Sequence, residues 1–195
     1  MFARVVPVIR LRRDTATWSY RLSPSQICHP GSLVNVPFRG YPCLAVVWET
    51  GEKDDQAKES VTEVLSTQSL IKAPLRRFIE WQSKTGVCSL SSALYQWMPR
   101  ALRGRILSPG ALKLLREFND WVPSSPAASQ HAILLPSHRP QSSQKLKERL
   151  GTAFQEMYAD QSELEELSSW FKVAKGEILV GIGRERALYA PWSNL

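Results

Sequence analysis

The chain has 195 residues, 43 % of them hydrophobic, which is enough to close one ordinary core or two small ones. Lysine and arginine outnumber aspartate and glutamate by 25 to 18, and the excess lies in the first two thirds, a distribution that favours a polyanionic partner such as nucleic acid over a basic or neutral one. Cys28, Cys43 and Cys88 are odd in number, widely spaced and free of any Cys-x-x-Cys pair, so they indicate neither a disulfide framework nor a metal site; no apolar run approaches the ~18 residues of a membrane span, and the expected location is cytoplasmic.

In chain order, β-branched residues predict a strand from Ala3 to Ile9, and a second strand through Thr17-Trp18-Ser19-Tyr20 follows a basic bend containing Arg10, Arg12, Arg13 and Asp14. Pro30-Gly31 marks a turn, Leu33, Val34 and Val36 lead to Pro37-Phe38-Arg39-Gly40, and Cys43 to Trp48 is an almost unbroken apolar run. Together these predict an antiparallel meander. The acidic patch from Glu52 to Asp55 reads as a solvated loop without a function, followed by a short strand or helix at Val61, Val64 and Leu65. Leu75, Phe78, Ile79 and Trp81 recur at helical spacing and predict an amphipathic helix ending near Gly86. Ser89 caps a second helix with Leu90, Ala93, Leu94 and Trp97 on one face and Pro99 as its stop. A third helix opens at Ser108-Pro109-Gly110 with Leu112, Leu115, Phe118 and Trp121 on its apolar face.

The Ser/Pro stretch from Pro123 to Ser129 predicts a linker. Beyond it the pattern gives a strand at Ala132 to Leu135, a helix from Lys145 to Phe154, a helix from Ser162 to Ala174 opened by a Ser162/Glu165 capping box, and a strand at Ile178 to Ile182. The fold class is therefore α+β: a small antiparallel β-barrel-like N-terminal domain with a helix pair over residues 1–105, a helix and linker over 106–130, and a short α/β segment with a parallel sheet over 131–195.

Three stretches resemble one family. Pro30-Gly31, Val34-Asn35-Val36-Pro37-Phe38 and the apolar strand Leu44 to Val47 look like the start of primosomal protein N′ (PriA), the bacterial replication-restart family. Leu75 to Arg103, with Trp81, Ser89-Leu90 and Met98-Pro99-Arg100-Ala101-Leu102-Arg103, is similar to that family's helix pair and its closing segment. Ser162, Glu165, Trp170, Gly176-Glu177, Val180, Gly183 and Ala187 to Leu195 resemble its first helicase lobe, in the same order and spacing. The resemblance implies a 3′-end DNA-binding domain followed by an incomplete RecA-like segment. No Gly-x-x-x-x-Gly-Lys-Ser/Thr loop occurs in the chain, and Glu185 stands where the family's lobe has a basic residue, so the resemblance is to the actinobacterial branch with degenerate helicase motifs or to a truncated member.

In that family the N-terminal domain holds the 3′ end of a nascent strand. Carried over, the DNA-binding residues are Trp18, Ser19 and Tyr20 for the terminal base, Arg39 and Gly40 for phosphate, and Lys58 as a basic contact one residue from the matching position. Arg12 and Arg13, with Arg10, form a cluster that can track the backbone. Each has a plainer alternative: Trp18 and Tyr20 as ordinary strand residues, Arg39-Gly40 as a simple hairpin turn, the arginines as a solvated strand edge. Ser19 replaces an aspartate of the family, which removes a carboxylate from the expected base contact. The expected protein is non-catalytic, without cofactor or metal, and engages fork DNA with a 3′ end; primosome and single-strand-binding proteins are its expected protein partners. Two other readings stay open: a fragment of an ATP-dependent helicase, and an adaptor that docks replication proteins through its tryptophan-rich helices.

Overall fold

Residues 1–11, 17–86, 88–103, 106–121, 130–134, 147–149, 151–157, 161–183 and 192 are described by the computed structural model. They divide into two compact units, Met1–Met98 with Leu102–Asn119, and Pro99–Ala101 with Asp120–Leu195. The Ser/Pro stretch, Arg12, Arg13, and the segment around Ala187 to Pro191 lie outside the described residues.

The first unit is built on a curled, six-stranded half-barrel sheet. Its strands are β1 (Phe2–Pro7), β2 (Trp18–Arg21), β3 (Leu33–Phe38), β4 (Tyr41–Gly51), β5 (Glu59–Ser60) and β6 (Glu63–Val64), in the order β5-β2-β1-β4-β3-β6. All pairings are antiparallel except the short β2–β5 contact. Strand β4 pairs with both β1 and β3 and is buried on both faces along its centre, which is why Cys43 to Val47 reads as an unbroken apolar run rather than an alternating one. On the inner face Ala3, Val5, Val34, Val36, Ala45 and Val47 form the core with Tyr20. The register shifts between Arg4 and Val5, which pair with Glu49 and Val47, so Trp48 is the extra residue of a bulge in β4, a device that bends a strand and sharpens its twist.

Helices α1 (Ala73–Lys84) and α2 (Leu90–Trp97) pack together, and α2 rests on β1. Ser89 caps α2 by accepting from the Ser92 amide, as its sequence predicts. The predicted apolar face of α1 is only partly used. Ile79 is buried, but Phe78 and Trp81 are 40 % and 57 % exposed. The reason is that α1 docks through polar groups: Arg76 donates to the Trp48 carbonyl at 3.0 Å, and the Trp48 indole donates to Glu80 at 2.6 Å. These contacts bring Arg76 and Glu80 to β4, while Phe78 sets its ring edge-on to Trp97 of α2 at 4.9 Å and lies 5.7 Å from Trp81, so the aromatic pair stays partly exposed beside α2. Helix α3 (Pro109–Asn119) buries Ala111, Leu115 and Phe118, and Gln68 donates to the carbonyls of Phe118 and Asn119 at its C-terminus.

The second unit holds β7 (His131–Leu134), β8 (Phe154–Met157), α4 (Glu163–Lys175) and β9 (Val180–Gly183). Its sheet is parallel throughout, in the order β7-β9-β8. The Ser162/Glu165 capping box forms, and Gly176 ends α4 at φ 79°, a left-handed conformation that glycine adopts without steric cost. Phe154 departs from expectation: it opens strand β8 instead of closing a helix, because pairing with Val180 outweighs its local helical context. No described helix is long and apolar enough to cross a membrane.

Candidate nucleic-acid interface

Strand alternation sorts the predicted Trp18-Ser19-Tyr20 element onto two faces. Trp18 and Tyr20 point to the inner face and Ser19 to the outer one. Tyr20 is 3 % exposed, and its hydroxyl donates to the Pro37 carbonyl at 2.7 Å. Burial, reinforced by Glu59 and Cys43, pushes its pKa up to about 12. The expectation that Tyr20 stacks on a base is corrected here: its ring faces are covered, and it serves as a tie between β2 and the end of β3. Trp18, half-buried, keeps accessible surface and sets its ring edge-on to Phe38, with centroids 5.1 Å apart and planes at 87°.

Phe38 ends β3, and the two-residue loop Arg39-Gly40 reverses the chain into β4, pairing Phe38 with Tyr41. Both loop residues have positive φ, 53° for Arg39 and 80° for Gly40, the signature of the hairpin turn whose twist matches its strands. Among the described residues Arg39 is the one non-glycine residue in that region. Its side chain is exposed, with the guanidinium 5.5 Å from the Phe38 ring centroid. A cavity of about 260 Å³ opens beside the turn, with Arg10 and Arg39 at its edge and Ile9, Leu11, Phe38, Pro42 and Cys43 as the rest of its described lining. The end of β1, the start of β2 and the β3–β4 turn thus bring Trp18, Arg10, Arg39, Gly40 and Tyr41 to one end of the sheet. Tyr41, 57 % exposed beside the turn, was not predicted as a site residue; an aromatic directly after a Gly turn was the only signal for it.

Residues 7–99 match the family model for the 3′ DNA-binding domain (3′BD). The first unit carries a PriA-like 3′ DNA-binding domain. The match takes in the whole rim just described, from the exit of β1 through the turn to α2, and makes DNA the partner of this PriA-like domain. No curated protein matches the chain.

On the outer face of the PriA-like domain, the acidic loop after β4 is solvated at Glu52, Lys53 and Asp55, as its sequence predicts, but Asp54 is tied into the sheet. The Ser19 hydroxyl donates to Asp54 at 2.6 Å, the Gln56 amide donates to the same carboxylate at 3.0 Å, and Arg4 reaches it at 3.3 Å while also pairing with Glu49 at 3.1 Å. The Ser19 bond first, then the Gln56 amide and Arg4, holds the Asp54 carboxyl below its ordinary range. Ser19 is therefore engaged away from Trp18, and the contact stations the Asp54 carboxylate within hydrogen-bond reach of position 19. Thirty-five residues separate the pair, and nothing local in the sequence announces it. Lys58 is exposed and precedes β5, whose Glu59 pairs with Tyr20, so it lies along the β2 edge. Arg21 fixes that edge by donating to the Ala57 carbonyl at 2.8 Å.

Proposed function

We propose that this chain binds fork DNA through a 3′-ended strand, as a non-catalytic component of replication restart and primosome assembly. The observation that carries this is the convergence of Trp18 with the Arg39-Gly40 turn at one end of the sheet, within the PriA-like domain. A terminal base can stack on the open part of the Trp18 ring. Glycine at position 40 leaves room for a sugar-phosphate to approach the backbone, since a Cβ there would meet nothing within 4 Å, and Arg39 supplies a planar fork for phosphate. Lys58 adds a long-range attraction along the β2 edge. The chain contains no phosphate-loop sequence, and the parallel β8–α4–β9 unit is read as a remnant of a helicase lobe that lends no ATP turnover.

Fluorescence anisotropy with forks carrying a nascent 3′ hydroxyl, a 3′ phosphate or no nascent strand tests the reading. Base–aromatic stacking is worth about 1–3 kcal/mol, so Trp18→Ala should weaken binding to the 3′-hydroxyl fork roughly 5- to 150-fold, while Trp18→Phe retains most of it. Equal affinity for all three forks, or ATP hydrolysis by the purified polypeptide, would remove the proposal. A second reading, a docking adaptor for replication proteins, is favoured by the partly exposed Phe78 and Trp81; unchanged DNA binding in Trp18→Ala together with loss of partner binding in Trp81→Ala would select it.

A further inference from the structure

We infer that the cavity between the end of β1 and the β3–β4 turn is a seat for one internucleotide phosphate, clamped by Arg10 and Arg39, so that the bound strand runs from Trp18 past the turn toward α2. This rests on the 3′-end reading above and assigns the next subsite to it.

Two features of the arginines carry the inference. Each guanidinium lies over an aromatic ring, Arg10 at 5.0 Å from the Tyr95 centroid and Arg39 at 5.5 Å from that of Phe38. A ring contact of that kind is made without pairing the guanidinium N–H groups to an acid or a carbonyl, and those N–H groups are the donors that match phosphate oxygens. The same side chains make no ion pair with any described carboxylate. Several other arginines differ: Arg4 and Arg100 pair with acids, and Arg21, Arg76 and Arg103 donate to backbone carbonyls; Arg77 and Arg116 share the lack of a described acid partner but are not among the cavity's described lining. No acidic residue is among the cavity's described lining, which is otherwise apolar apart from the weakly polar Cys43 thiol. An anion entering it meets two positive forks and a low-dielectric wall, a setting in which charge-assisted hydrogen bonds are strong.

Size and position limit the ligand. At about 260 Å³ the cavity falls short of the roughly 300–1,000 Å³ of typical small-molecule sites, and a phosphate with part of a sugar suits it better than a whole cofactor. Phe38 lines the cavity and also meets Trp18 at 5.1 Å, so a base stacked on Trp18 has its neighbouring linkage next to this opening. Beyond it Tyr95 lies under a second guanidinium, that of Arg103 at 5.1 Å, which continues the positive track onto α2.

The experiment combines the full chain with fork DNA whose nascent strand carries a single neutral methylphosphonate linkage at the first, second, third or sixth position from its 3′ end. The inference expects one of the first three to weaken binding about tenfold and the sixth to have no effect. Arg10→Gln should cost a similar factor on unmodified DNA, lower the slope of log K against log salt by about one, and become insensitive to the sensitive linkage. Arg10→Lys, which keeps the charge but not the fork, should recover only part of the loss. If affinity depends on the 3′ hydroxyl but every linkage is equally tolerant, the clamp is wrong and the 3′-end reading stands. If all forks bind alike whatever their 3′ end, the underlying reading falls and takes the clamp with it. A linkage effect of the same size in wild type and Arg10→Gln would assign the phosphate to other residues and overturn the inference.

Discussion

Arg39 holds a left-handed backbone at φ 53° that asparagine or glycine adopts more readily. For an ordinary residue the left-handed region costs about 1–2 kcal/mol, and Asn-Gly is the favoured pair for a two-residue hairpin loop of this kind. Arg39→Asn should therefore recover about 1 kcal/mol of turn strain. It also forfeits the exposed contact with Phe38, worth about 0.5 kcal/mol, which leaves a net gain near 0.5 kcal/mol. With a urea dependence of about 1–2 kcal/mol per molar, the unfolding midpoint should rise by roughly 0.2–0.5 M. The same change removes a guanidinium from the rim proposed to hold DNA. Hydrogen bonds to charged groups contribute about 1.5–3 kcal/mol, and taking the lower end for an exposed site, affinity for a 3′-ended fork should drop about tenfold. Urea melts and fork titrations on one preparation measure both effects. A lower midpoint would refute the strain reasoning, and a higher midpoint with unchanged affinity would show that the strain serves something other than DNA.

Tyr20→Phe should lower stability by about 1–2 kcal/mol through loss of the 2.7 Å bond to the Pro37 carbonyl, while fork affinity stays within about twofold, because this ring is a tie and not a stacking surface. Since the Tyr20 proton is held to about 12 against an ordinary 10.0, the wild type should lose stability as pH rises through that interval and Tyr20→Phe should lack this component; identical pH dependence above 10 would contradict the assignment. Asp54 has the opposite sign. Its depressed carboxyl contributes stability above its ordinary value of 3.8 that is lost as pH falls toward the folded value, so Ser19→Ala should flatten acid destabilisation and shift the Asp54 titration upward in side-chain carbon NMR, and an unmoved titration would rule out the hydroxyl as its main cause.

Much of the scaffold was legible because its signals are local. Ser89 and Ser162 announce helix starts, Gly86 a helix end, and Arg39-Gly40 between apolar runs a hairpin. What escaped was decided by contacts distant in sequence. The pairing of Ser19 with Asp54 tied one residue of a solvated acidic loop to β2. The docking of Arg76 and Glu80 on Trp48 left partly exposed an aromatic stripe that periodicity alone assigns to a core. Phe154 joined a parallel sheet because Val180 lies beside it, which no window around residue 154 reveals. The rim shows the same division: Trp18 and Arg39 stand out as residue types, whereas the separation of Ser19 from Trp18 follows from register, and the placing of Arg10 over Tyr95 depends on how α2 meets β1.

Helix α3 sets where the DNA-binding unit can be cut. Its buried Ala111, Leu115 and Phe118 belong to the first unit, and Asn119 donates back to the Leu65 carbonyl at 2.8 Å. A polypeptide stopped at residue 99, where the family match ends, would bare the apolar seat of that helix and strand the Gln68 amide and Leu65 carbonyl without their partners. Such a fragment invites self-association, and weak or erratic DNA binding by it would reflect the missing lid on its core instead of the quality of its rim.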